Sequence, residues 1–175
     1  MVVVNTKLKY VLIVINTNLI FGNILAELLL AHFAKKGDTT NLERIVIEEA
    51  KESVEKAVHK GFVISVYGFP VPFVGGICMC EYPACMALKS RLDYGLDYII
   101  KKAESVVRHD IDKCTGCGKC IGKCQFGAIY KSRTLGKALF NIEECFGCGV
   151  CLHACEQNAI ELVPREQDPA VRGAW

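Results

Sequence analysis

Cys114, Cys117, Cys120 and Cys124 follow the spacing C-x2-C-x2-C-x3-C, and Cys145, Cys148, Cys151 and Cys155 repeat it. Thiolates are the ligands that soft metal centres select, and this spacing is the general bacterial pattern for holding a 4Fe–4S core. The reason is mechanical. Three cysteines separated by two residues each wrap a tight loop around one core. The glycines among them, Gly116 and Gly118 in one run and Gly147 and Gly149 in the other, supply positive-φ turns that aim backbone amides at sulfur. The fourth cysteine sits a helical turn further on and points away from its own loop. Zinc is a poorer match: paired C-x2-C knuckles build tetrahedral zinc sites, but a third cysteine at the same interval has no use in one. A disulfide framework is poorer still, because no cleavable signal pattern opens the sequence and the spacing is not that of a secreted scaffold.

The run is duplicated. Laying residues 114–130 over 145–161 matches all the cysteines, both glycines, and the Ala-Ile pair that ends each half, Ala128-Ile129 and Ala159-Ile160. A repeated half that cannot bury its face alone implies a module with pseudo-twofold symmetry.

On these residues the stretch 106–163 resembles a two-cluster bacterial ferredoxin domain. The resemblance implies two 4Fe–4S clusters, one on Cys114, Cys117, Cys120 and Cys155, the other on Cys145, Cys148, Cys151 and Cys124. It also implies one-electron transfer between closely spaced cubanes, with no catalytic residue. The sequence departs from the family where proline usually follows each fourth cysteine: Gln125 and Glu156 stand there. Proline would fix φ and remove an amide donor, so the departure reads as a change of tuning.

Such loops need a scaffold, and the remaining sequence is long enough to provide one. The chain has 175 residues, 51% of them hydrophobic and 23% charged, which suffices for a core. A net charge of +2 gives no reason to expect nucleic acid as a partner. Eleven cysteines without an export signal point to a reducing cytoplasm. The expected class is α+β: a mainly helical domain with a short strand over 1–105, the dicluster module over 106–163, and a polar tail over 164–175.

Within the first domain, residues 7–36 are the most apolar and must be tested as a membrane span. Asn16, Asn18, Asn23 and Glu27 would lie near the bilayer middle. An acidic residue there costs about 3 kcal/mol, while each Leu or Ile returns about 0.5. The expectation is buried elements or a docking helix over 18–34, with membrane association the weaker reading. Thr40-Asn41-Leu42-Glu43 reads as a capping box, opening a helix that runs to Lys60 and stops at Gly61. Residues 62–67 read as a strand. The prolines and glycines of 68–76 predict a loop that delivers the chain to a cysteine loop over 76–85.

That loop carries the other cysteines, Cys78, Cys80 and Cys85. C-x-C-x4-C opening into a helix could hold a third metal ion or iron–sulfur cluster, with His109 or Glu81 as a fourth ligand. It could instead be packing, since unpaired cysteines are among the most buried residues, or a redox-active or partner-facing thiol set. The stretch resembles, more weakly, the cysteine-rich extensions of certain anaerobic dicluster proteins. Further helix is expected over 88–102, broken or bent near Gly95, followed by a strand over 105–109.

Charge separates the two quartets. Lys113, Lys119 and Lys123 flank the first, and Glu143, Glu144 and Glu156 the second, which would give the first cluster the higher potential. The basic stretch 131–137 reads as a hairpin tip that could steer an acidic partner. Trp175 is a candidate anchor. The functional expectation is an iron–sulfur electron carrier, a subunit or dedicated donor of an anaerobic oxidoreductase complex. The alternative is an oxidoreductase or a metal or redox sensor with a third metal site on Cys78, Cys80 and Cys85.

Overall fold

The computed structural model describes residues 2–5, 10–13, 42–68 and 75–174. They belong to two compact units, Met1–Ala57 with Ile64–Met79, and Val58–Val63 with Cys80–Trp175. The expected helix over 18–34, the loop residues 69–74 and Trp175 lie outside the described residues. Among those described, no helix is long and apolar enough to cross a membrane.

Strands β1 (Val2–Asn5), β2 (Tyr10–Ile13), β3 (Leu42–Ile45), β4 (Val63–Gly68) and β5 (Gly75–Cys80) form one sheet in the order β3-β1-β2-β5-β4. This corrects the mainly helical expectation for the described part of 1–105. Leu42 and Glu43 are not the start of a capped helix: Leu42–Ile45 pairs antiparallel with β1, Val2 opposite Ile45 and Asn5 opposite Leu42. Only Ile45 of these four residues is β-branched, so the ladder offered by β1, not local propensity, makes the segment a strand. Helix α1 (Ile47–Lys60) starts later. Its start is closed by Glu49, whose carboxylate accepts the Val46 N–H at 3.2 Å, the reach-back half of a capping box a few residues further on. The end at Lys60 is as expected, and Gly61 takes φ +102°. The loop expected at Cys78 and Cys80 is also corrected, because both lie in β5, where Cys78 stands opposite Tyr10 of β2.

In the second unit, helix α2 (Met86–Tyr94) begins at Cys85 and ends at Gly95, which is left-handed at φ 66°. Of the break or bend expected there, the structure shows the break, and no helix continues to 102. Strand β6 (Ser105–His109) falls where expected and pairs antiparallel with β9 (Ile160–Pro164), Ser105 opposite Pro164 and His109 opposite Ile160. Between them lie helix α3 (Lys119–Lys123), the hairpin β7 (Ile129–Lys131) and β8 (Ala138–Phe140), and helix α4 (Val150–His153).

Successive side chains on a strand face opposite ways, and β6 uses this to bind two layers. Val107 packs with Cys120, Ile129, Ala138 and Ile160, the layer that backs the cysteine loops. Val106 packs instead with Val163 and Val171. The tail is therefore not free. It forms a 3-10 turn (Arg165–Gln167) and seats Val171, 1% exposed, on the far face of β6 and β9.

Candidate metal centre

Each cysteine loop begins at a side-chain-capped turn. Asp110 accepts the amides of Asp112 and Lys113 at 3.1 and 3.3 Å, and Asn141 accepts that of Glu143 at 3.1 Å. These local bonds turn the chain toward the first cysteine four residues later. The backbone amides of Asp110 and Asn141 bond in turn to the carbonyls of Ala159 and Ala128. Each half is thus pinned to the Ala-Ile pair that ends a half, and the alanines are buried where a larger side chain would hold the layers apart. Asp110 and Asn141 also coincide when the two halves are laid together, a signal that the cysteine spacing alone does not reveal.

The two loops have nearly the same backbone. Gly116 and Gly147 take φ +72° and +71°, and Gly118 and Gly149 both take +76° as they open α3 and α4. A Cβ on Gly116 would collide with the Gly136 carbonyl of the β7–β8 turn, and one on Gly147 with the Ser105 carbonyl of β6. Glycine is needed there twice over, for φ and for room. The Gly147 amide points at the Cys145 sulfur, N···Sγ 3.4 Å.

The cysteines gather around two recesses. One is lined by Cys114, Cys117, Cys120 and Cys155. The other is lined by Cys145, Cys148, Cys151 and Cys124. Each recess draws its last cysteine from the other half of the repeat. Among the described residues no three His, Cys, Asp or Glu side chains converge closely enough to hold a single metal ion. The quartets are instead spread around spaces that suit a multi-atom core. The donor set is all sulfur and the walls are apolar: Val107, Phe126, Phe140, Phe146 and Val150 line the second recess. Burial pushes the Cys148 thiol up to about 11 and that of Cys151 up to about 12. Such thiols ionise only when a bound cation replaces lost solvation, so all-thiolate ligation of an iron–sulfur core fits the residues present.

Charge is distributed differently from its order in the sequence. Lys113 is paired with Asp110 at 2.9 Å, and Lys119 with Glu156. Because Cys155 belongs to the first recess, Glu156 comes with it. Lys123 lines the second recess and donates to the Lys60 carbonyl at 3.2 Å. The expected contrast, basic first and acidic second, is largely cancelled.

The cation deepest in this unit was missed altogether. Arg165 is 0% exposed and has no carboxylate partner among the described residues; its guanidinium donates to the carbonyls of Ala103 (3.0 Å), Ser105 (3.1 Å) and Cys145 (2.8 Å). A lone arginine in a polar tail gives no sign of this in sequence.

Gln125, at the first of the unusual positions, has a use. Its side-chain amide donates to the Gly61 carbonyl at 2.7 Å, and its oxygen accepts the Tyr82 amide at 2.7 Å. It ties the turn between Cys80 and Cys85 to the residue beside Cys124. Of the remaining cysteines, Cys80 and Cys85 lie side by side in this unit, whereas Cys78 falls in the other. His109 is placed at the first recess against Phe140, ring centroids 4.7 Å apart.

No curated protein matches the chain. Residues 113–160 match the family model of the 4Fe-4S dicluster domain, which supports iron–sulfur cluster binding and an electron-transfer role for this part of the chain.

Proposed function

We propose that the chain is an electron-transfer protein holding two 4Fe–4S clusters in a pseudo-twofold module. Cys114, Cys117, Cys120 and Cys155 would hold one, and Cys145, Cys148, Cys151 and Cys124 the other. The observation that carries this reading is the exchange of fourth cysteines between two recesses of matched backbone. When bound, each cluster supplies reversible one-electron chemistry.

The chain's own residues hold and shield. Val107, Phe126 and Phe146 keep water from the second recess. The first is more open, since Cys117 is the exposed member of its quartet. The β7–β8 turn lies beside it through the Gly116–Gly136 contact. Lys137 of that turn is committed to the Ile111 carbonyl at 2.7 Å, leaving Lys131 and Arg133 exposed. An acidic redox partner docking on this side would meet the open quartet first. The chain would serve as a subunit or dedicated donor of an anaerobic oxidoreductase.

The test is cluster loading in single-cysteine variants prepared without oxygen. Wild type should contain about eight irons and eight sulfides. Cys124→Ala should disturb the cluster held by Cys145, Cys148 and Cys151, and Cys155→Ala the one held by Cys114, Cys117 and Cys120. Resonance assignments that follow sequence halves instead of recesses would refute the exchange.

A further inference from the structure

We propose that Cys80 and Cys85 form a redox-active dithiol, a two-electron centre that cycles with an intramolecular disulfide. The proposal rests on the reading above, that one-electron clusters occupy the neighbouring recesses.

Cys80 ends β5 and is 2% exposed, while Cys85 is half-buried at the start of α2. The Cys85 amide bonds back to the Glu81 carbonyl at 2.7 Å, closing the turn between them. This puts the two thiols within hydrogen-bond reach of each other, unbridged. A single buried cysteine is a small apolar residue. Two in mutual contact, belonging to neither quartet, are one oxidation from a disulfide. The pair is also unequal: Cys85 is the sulfur a partner's disulfide could reach, and Cys80 the one that would resolve the mixed disulfide.

Its placement couples it to the second recess. The Tyr82 amide, inside the turn, is bonded to Gln125, the neighbour of Cys124. From α2, Arg91 lies over the Phe146 ring at 5.2 Å, and Phe146 stacks on Phe126 at 4.0 Å. Both rings line the recess of Cys124, Cys145, Cys148 and Cys151.

The chemistry balances against the clusters. On oxidation both S–H bonds break, one Sγ–Sγ bond forms, two protons go to solvent, and two electrons would leave singly, one to each of the two clusters that the quartets would hold. Reduction runs the same steps backward. A pair of one-electron carriers matches one two-electron couple. Cys85 forms no regular side-chain cap on α2. Burial pushes its thiol up, against the pull of the Leu88 and Ala87 amides.

The full-length protein is prepared without oxygen and titrated coulometrically between its oxidised and reduced limits, with iron and sulfide measured on the same sample. Wild type should take up about four electrons per chain, and Cys85→Ser about two at unchanged iron. Peptide mapping of alkylated wild type, which needs no variant, should find a Cys80–Cys85 disulfide in the oxidised sample and two labelled thiols in the reduced one. About two electrons in wild type, with full iron and no such disulfide, overturn the dithiol and leave the cluster reading standing. Iron near twelve per chain, with both thiols resistant to label, overturns it in favour of bound metal. Absence of inorganic sulfide removes the cluster reading, and with it the destination of the electrons.

Discussion

At the scale of single residues, the informative positions are those where the sequence leaves the pattern of the ferredoxin domains it resembles. Cys124 has φ −81° and ψ 101°, the extended conformation that the residue before a proline prefers. The backbone would therefore accept proline at 125; what proline lacks is the side chain that bonds Tyr82 and Gly61. Gln125→Pro should keep its iron and lose about 1–2 kcal/mol of stability, the ordinary worth of two hydrogen bonds. Denaturant unfolding and iron analysis on one preparation check this, and loss of iron would instead locate the role in the Gln125 backbone amide. Glu156 is the weaker case, since its pairing with Lys119 is exposed and such pairs contribute little.

At the scale of elements, the cysteine loops and the turn before α2 make separate demands. Gly127 has φ +69° with open space around it, so Gly127→Ala should cost only the left-handed penalty, about 1–2 kcal/mol. Gly116→Ala and Gly147→Ala add a collision with a carbonyl oxygen and should each cost about 3 kcal/mol or more, with iron lost from the adjoining recess. Thermal melting with metal analysis separates the two classes. In the turn, the Tyr82 hydroxyl donates to Asp93 at 2.9 Å, and this hydrogen bond raises the phenol above its ordinary value of 10.0. A group raised on folding stabilises fully below its unfolded value and ceases to do so as pH climbs through the folded one. The wild type should therefore lose a contribution above pH 10 that Tyr82→Phe never had. Unfolding midpoints against pH check this, and equal alkaline losses in both proteins would assign the effect elsewhere.

At the scale of the whole second unit, Arg165 closes the structure. It binds the segment before β6, the start of β6 and the second cysteine loop through their carbonyls, while Val171 seals the opposite face. Arg165→Met would strand three carbonyls and should cost about 3 kcal/mol. It also removes a buried positive charge beside Cys145, so the reduced form of a cluster held there would lose stabilisation and its potential should fall. Arg165→Lys keeps the charge without the planar fork and should restore the potential more than the stability. EPR-monitored titration and denaturant unfolding measure the two effects separately. A potential unchanged in both variants would leave Arg165 a purely structural role.

The sequence alone determined what depends on local spacing. The quartets, the glycines inside them, β6, the β7–β8 hairpin and the end of α1 all follow from residues a few positions apart. It could not show where distant segments meet. Leu42–Ile45 is a strand because β1 offers it a ladder, and a local capping signal cannot foresee that. Lys119 meets Glu156 because the fourth cysteines change places, which undoes a charge pattern read along the chain. Arg165 is buried because β6, Cys145 and the tail converge on it, and Cys80 meets Cys85 because the end of β5 turns directly into α2. Hydrogen bonds, burial and charge pairing act through space, so these contacts became visible only once the chain was folded.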